Sequence, residues 1–305
     1  EGSGRRTNSG VAATSLSTTP CTVARVTTLD AAFDILQCPS CGEPLEPADG
    51  GASCTQRHHF DRARQGYLSL RAAHKGKGAP ASGDTPEMLE ARERFQAEGF
   101  HDDIAAVVLA AVPTDARGWL ADLGGGTGWY AAQILDARPE LHALVLDASA
   151  PAVRIAARAH ERLAAVSADV WTGIPLRDAS VDVALRVFAP GSAAEVRRIL
   201  APGGTAVFVV PHADHQRELG HGLKLMKVPA GKAEEVAASI PEATLMSSVE
   251  VRRRVELTVE QALDAVFMGP NAFHQDRAKV GAVLEGWKAP ISVTLAVTVV
   301  ALQVA

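Results

Sequence analysis

Apolar residues in the middle of the chain fall into short runs separated by stretches of helical spacing. The first run, beginning near Trp119, ends on the glycines of residues 124–128, and Trp129 to Ala137 follows as a helix former. Further strand-like runs lie near 142–147, 163–168, 181–188 and 204–210, each followed by a helical stretch. Such βα alternation predicts an α/β fold whose sheet is mostly parallel and covered on both faces. Upstream, Pro86 to Glu98 and Asp102 to Ala111 read as two helices joined through Gly99-Phe-His101, and Pro113 ends the second. Residues 289–305 carry no charge, but Thr294 and Thr298 interrupt them and β-branched residues dominate. They fall short of the ~20 residues that span a bilayer, so they predict a last strand paired antiparallel with Val249 to Leu257.

Residues 1–29 are rich in Ser, Thr, Gly and Ala and show no apolar period. Little there offsets the entropy of ordering, so we expect a disordered extension over residues 1–34. Arg5-Arg6 is followed by no apolar stretch of the ~7 to 15 residues an export signal needs. The expected division continues with a small module at 35–75, a linker and helices at 76–117, and the large domain at 118–305. No membrane segment is expected, and the cytoplasm is the expected compartment.

Composition adds a constraint. With 305 residues, 47% apolar, 21% charged and a net charge of −5, the chain suits one large domain and a small one. A nucleic-acid enzyme of that charge must concentrate its cations locally. Residues 57–77 do so: Arg57, Arg62, Arg64, Arg71, Lys75 and Lys77 face the single acid Asp61, with Phe60 and Tyr67 among them. They can grip phosphates and stack bases, or equally form a solvated face over two core aromatics.

Just before this patch the cysteines cluster. The spacing Cys38-x2-Cys41-x12-Cys54-x3-His58, with Pro39 and Gly42 in the first turn and Cys21 apart, suits tetrahedral zinc better than a disulfide framework. His59 is a rival fourth ligand. The third ligand is Cys and no recognition helix precedes His58, so a ribbon fits better than a DNA-reading finger.

The glycine-rich turn is the main candidate site. In Asp122-Leu-Gly124-Gly-Gly126-Thr127-Gly128 a strand runs into a helix N-terminus, the geometry that brings backbone N–H groups close to a nucleotide-like ligand. Read alone, it serves dinucleotides as well as S-adenosylmethionine. Asp147, ending the next strand, accepts ribose hydroxyls in either class. Asp169 and Val170 after the third strand, and Leu200-Ala-Pro-Gly-Gly204 later, complete a series that resembles the class I S-adenosylmethionine-dependent methyltransferases. That resemblance implies a Rossmann-like, seven-stranded sheet.

Together with the zinc spacing and the stretch His59-Phe-Asp-Arg-Ala-Arg-Gln-Gly-Tyr67, the chain resembles the large-subunit (23S) ribosomal RNA guanine-N1 methyltransferases over roughly residues 36–303. Further matching stretches are Met88-Leu-Glu-Ala-Arg92, Arg186-Val-Phe-Ala-Pro190 and Met268-Gly-Pro-Asn-Ala-Phe273. Ala168-Asp-Val-Trp171 and Phe273-His-Gln-Asp276 most resemble the tylosin-resistance branch of antibiotic producers. The resemblance implies zinc on Cys38, Cys41, Cys54 and His58, and cofactor contacts at Thr127, Gly128, His101 and His215. The better-known branch has Tyr where His101 stands, and the bland reading is that His101 caps the interhelix turn. The implied substrate is a guanine in a domain II hairpin of 23S rRNA, and a homodimer is allowed but not required.

Guanine N1 is protonated at neutral pH, so a base, or stabilisation of the developing O6 anion, is needed. After the fourth strand Val187-Phe-Ala-Pro190 offers a ring and backbone groups but no acid; His212 and His215 are the nearest candidates, and no catalytic residue is assigned. Two rival functions remain. A small-molecule methyltransferase would not need the ribbon, and a non-catalytic rRNA-binding protein would not need Asp122, Asp147 and Asp169.

Overall fold

A computed structural model describes residues 1–2, 27–71, 83–171 and 173–305. Helix α1 (Thr28–Ala31) opens the described chain, followed by a 3-10 turn to Asp34. The small module contains β1 (Glu46–Ala48), β2 (Gly51–Ser53) and β3 (His59–Asp61), an antiparallel sheet in that order, and then β4 (Leu68–Ser69). Helices α2 (Pro86–Ala97) and α3 (Asp102–Ala111) lead to β5 (Gly118–Leu123), α4 (Trp129–Ala137), β6 (Leu141–Asp147), α5 (Ala150–Ala156) and β7 (Leu163–Ser167). The chain continues through β8 (Val181–Val187), α6 (Ala193–Ile199), β9 (Leu200–Pro211), α7 (Arg217–Gly220) and α8 (Lys232–Ala237). It closes with β10 (Thr244–Leu257), α9 (Val259–Phe267), α10 (Arg277–Glu285) and β11 (Ile291–Gln303).

The main sheet has eight strands in the order β10-β11-β9-β8-β5-β6-β7-β4. Seven belong to the large domain, as the resemblance implied; the eighth is β4, which pairs parallel to β7 through Leu68↔Val166 and Ser69↔Ser167. The last two strands are antiparallel, with Leu257↔Ile291 at one end of their register. Among the described residues no helix is long and apolar enough to cross a membrane.

Period-two alternation sorts the sheet's side chains between two cores. Leu123, Leu144, Leu146, Val166, Phe208 and Leu302 face one, while Leu120, Val145, Ala165, Leu185 and Val209 face the other. Helices α3, α4 and α5 cover the second face. On the first face α6 and α8 are joined by the N-terminal module, whose Leu36, Leu45, Phe60, Leu68 and Leu70 belong to the same apolar cluster.

One expectation is corrected here. The predicted disordered extension reached residue 34, yet Thr28–Asp34 is helical, with Leu29 and Phe33 buried and a capping box between Thr27 and Asp30. Seven residues are too few to display a helical period; the order comes from the sheet face they cover. Residues 3–26, with Arg5, Arg6 and Cys21, lie outside the described residues, as do 72–82, which include most of the expected linker together with Lys75 and Lys77.

Candidate functional site

The metal centre is built from two turns. Gly42, at φ +77°, lets the chain fold back so that its N–H reaches the Cys38 carbonyl at 2.8 Å, and Arg57, at φ +63°, does the same towards Cys54 at 2.9 Å. The turns bring Cys38, Cys41, Cys54 and His58 together, with all four ligand atoms within 4.8 Å of one another. Cys41 Sγ to Cys54 Sγ is 3.7 Å, while His58 Nδ1 lies 3.5 Å from Cys38 Sγ and 3.4 Å from Cys54 Sγ. A zinc tetrahedron with bonds of about 2.3 Å to sulfur and 2.0 Å to nitrogen has edges of about 3.5 to 3.8 Å. The donor set therefore fits tetrahedral zinc through Nδ1 of His58, with no position left open. His59, the rival ligand, turns on β3 towards Asp61 at 3.7 Å.

The second constellation stands at the carboxyl ends of β5, β6 and β7, where open parallel sheets bind ligands. Gly124, Gly126 and Gly128 all have positive φ, between +57° and +76°. Close approach also requires glycine at two positions. A Cβ on Gly124 would stand 2.7 Å from that of Ala189, and one on Gly125 would stand 2.4 Å from the Asp122 carboxyl. Gly125 is a position the sequence reading passed over, since it lies off the alternating pattern.

Two acids frame the turn. Asp147 accepts the Gly126 N–H at 2.9 Å and the Ser149 N–H at 2.7 Å, so one carboxylate ties the turn to the end of β6. Burial raises its pKa, and the two amides oppose that rise. Asp122 is 1% exposed, its Oδ1 has no hydrogen-bond partner among the described residues, and burial, then the charge of Asp147, push its pKa up to about 7. A buried acid with an unsatisfied oxygen beside a glycine turn fits a ligand that brings a donor or a positive charge, as the amino-acid end of S-adenosylmethionine does. Bound there, that cofactor supplies an electrophilic methyl group. Thr127 and Val170 are buried at the same end of the sheet, and Asp169 accepts the Trp171 N–H at 3.0 Å, holding the loop after β7.

His101 and His215, far apart in sequence, meet across one ring. Phe188 lies with its centroid 5.9 Å from that of His101 and 6.2 Å from that of His215. His101 stands at the N-cap of α3 but makes no capping bond; its Nδ1 lies 3.1 Å from the Tyr130 hydroxyl. Burial, then the charge of His215, lowers its pKa to about 3. His215 Nδ1 accepts the Ala296 N–H at 3.2 Å, which leaves Nε2 as the protonated nitrogen, and burial lowers this pKa to about 4. Both imidazoles are neutral at pH 7. His212, the other histidine considered, lies 2.6 Å from Thr298 Oγ1 on β11. Phe188 is 40% exposed and holds a left-handed φ of +53°, a strained conformation for a phenylalanine.

The cations of the basic flank differ in their partners. Arg62 is paired with Asp30 at 2.9 Å and Thr27 at 3.1 Å, and Arg71 donates to the Ala148 carbonyl at 2.9 Å. Phe60 is buried in the module and offers no face to a base. Of the two readings, Phe60 follows the one that places it in the core, while Arg62 is tied to Asp30 and still exposed. Arg57 and Arg64 are exposed, and so is Trp171, at 71%, on the loop that Asp169 holds.

Comparison with known proteins agrees with this geometry. The zinc-ribbon model described as "RlmA, N-terminal" matches residues 36–76, and one described as a methyltransferase domain matches residues 120–204. The 23S rRNA (guanine(748)-N(1))-methyltransferase of Streptomyces fradiae is 36% identical over 268 residues, covering 86% of this chain and 94% of the relative. A Micromonospora griseorubida protein, provisionally named as a 23S rRNA (guanine-N(1)-)-methyltransferase, is 40% identical over 283 residues, covering 86% of this chain and 95% of the relative. Likeness at this level across nearly whole chains makes this protein a member of the 23S rRNA (guanine-N1)-methyltransferase family.

Proposed function

We propose that this protein transfers the methyl group of S-adenosylmethionine to N1 of a guanine in a domain II hairpin of 23S rRNA, in the cytoplasm. The observation that carries the reading is the Phe188 ring. It is exposed, strained and set between two neutral imidazoles beside the glycine turn, as a platform for a base turned out of its stack. The cofactor, when bound, would supply the methyl group; for guanine N1 to take it, its proton must pass to solvent water, and charge develops towards O6 as it leaves. His215, neutral and protonated on Nε2, is a donor suited to that charge rather than a base for the proton.

The zinc ribbon serves the same end. Strand β4 fixes it to β7 and Arg71 to the loop after β6, so Arg57 and Arg64 travel with the cofactor site as one body and can hold phosphates. Methylation at N1 removes the Watson–Crick edge of the guanine, and host tolerance of tylosin-type macrolides follows from the changed drug surface.

The test is methyl transfer from labelled cofactor to total RNA, followed by primer extension across domain II. Guanine 748, the nucleotide in the name of the Streptomyces fradiae relative, is the first place to look. An enzyme-dependent stop at one guanine is expected. Label absent from 23S rRNA, or present on another atom of the base, defeats the proposal.

A further inference from the structure

Two of the matching stretches, Met88-Leu-Glu-Ala-Arg92 and Met268-Gly-Pro-Asn-Ala-Phe273, have no part in the site as described so far. They meet at one side chain. Arg92, on α2, donates through Nη2 to the Met268 carbonyl at 2.5 Å and pairs with Asp84 Oδ2 at 2.6 Å. Both contacts use Nη2; Nη1 lies 3.0 Å from where a Cβ on Gly126 would stand. The guanidinium therefore lies over the middle of the glycine turn, and its fork is held by groups on two other parts of the chain.

Its charge reaches the surrounding walls. Burial lowers the pKa of His101 and raises those of Tyr130 and Asp147, and in all three the nearby charge of Arg92 acts downward. Arg92 and Asp84 are each only 23% exposed, so the charge acts with little screening by water. Asp84 is itself anchored, because Ser149 Oγ donates to its carbonyl at 2.6 Å and the Ser149 N–H is bound by Asp147. One hydrogen-bonded path thus runs from Arg92 to the acid assigned to the ribose.

The amino-acid end of S-adenosylmethionine is a zwitterion and needs an anion for its ammonium and a cation for its carboxylate. Asp122, with its unpartnered oxygen, is the acid placed to meet the ammonium, whose positive charge would favour the ionised carboxylate. We propose that Arg92 is the cation: its Nη1 edge binds the α-carboxylate of the cofactor, while Asp84 and the Met268 carbonyl hold the fork in place. This assignment rests on the cofactor reading above and adds a residue to it. A planar guanidinium held on one edge presents the other in a fixed direction, which a lysine cannot do.

Calorimetry with two ligands separates this role from a scaffolding one. S-adenosylhomocysteine has the carboxylate; 5′-methylthioadenosine keeps the adenosine and thioether but lacks the amino acid. Arg92→Met should weaken binding of the first by roughly 10- to 100-fold, the range for a hydrogen bond to a charged group, and change the second by less than about twofold. Arg92→Lys, the milder variant should the methionine fold poorly, should lose part of the first affinity and none of the second. Equal losses for both ligands, or undiminished binding of S-adenosylhomocysteine, would overturn the proposal. A parent protein that binds neither ligand would overturn the cofactor reading and this assignment with it.

Discussion

The zinc ribbon and the sheet domain solve the same problem by opposite means. Strands β5 to β9 bury whole side chains on both faces, so each position in their alternation contributes, and a fully buried aliphatic side chain is worth about 1.5 to 3 kcal/mol. The ribbon's strands β1 to β3 have three residues each, and their buried side chains are few: Ala52 and Phe60, with Leu45 just before them. So small a core does not hold without a staple, and the four metal ligands provide it. What differs is where the information lies: in a periodic pattern for the sheet, in the spacing of four residues for the ribbon.

The most drastic way to break this comparison is to remove a ligand. Cys38→Ser should take zinc from one per chain to none by elemental analysis and cost the ribbon on the order of 10 kcal/mol, the scale of metal-driven folding in small zinc domains. Hydrogen exchange should then lose protection at β1 to β3 and keep it at β5 to β9. Persistent protection at β2 without metal would show that apolar burial alone holds the ribbon. In the sheet, Leu144→Ala should cost about 2 to 5 kcal/mol in urea unfolding and leave zinc content unchanged.

A subtler effect comes from His101, which marks the ligand-facing edge of the sheet domain. Its folded pKa, about 3, lies below the ordinary 6.5, so the stability of burying it neutral is present above pH 6.5 and is lost as pH falls towards 3. Replacing it by a group that does not titrate there removes the loss. Relative to the parent, His101→Tyr should gain about 2 kcal/mol between pH 7.5 and pH 5, by the value of one pKa unit. Stability curves that stay parallel with pH would place the proton elsewhere.

The smallest expected effects on stability separate the ribbon's cations. Arg64→Glu should leave the melting temperature unchanged and reduce the salt dependence of RNA binding by about one unit of slope for each phosphate contact removed. Arg62→Glu should lower the melting temperature, because it sets an acid against Asp30.

These contrasts explain what was legible in the sequence. The metal ligands and the glycine turn could be read because each needs specific residue types at fixed spacing, and the structure brings both sets together. The strands could be read because each is an apolar run several residues long. Thr28–Asp34 and Leu68–Ser69 could not, being too short for any period, and their order depends on a sheet encoded much later in the chain. For Arg62 and Phe60 the sequence left two readings open for a related reason: charge and aromaticity are local properties, whereas pairing with Asp30 and burial against the module are tertiary ones. Arg92 stood in a matching stretch but with no role attached, since one arginine on a helix is ordinary until its neighbours are known.

The seat of the ribbon has a consequence for how the protein is made. Leu36 bridges to Leu176, and β4 pairs with β7, so the ribbon docks on segments that leave the ribosome long after it. During that interval its apolar underside, including Leu45 and Leu68, has nothing to cover it. Zinc can close the ligand turns at once, before a seat exists, and give the nascent chain a compact head that waits for its sheet. Metal supply during translation thereby becomes a condition for clean assembly, apart from anything the ion does in the finished enzyme.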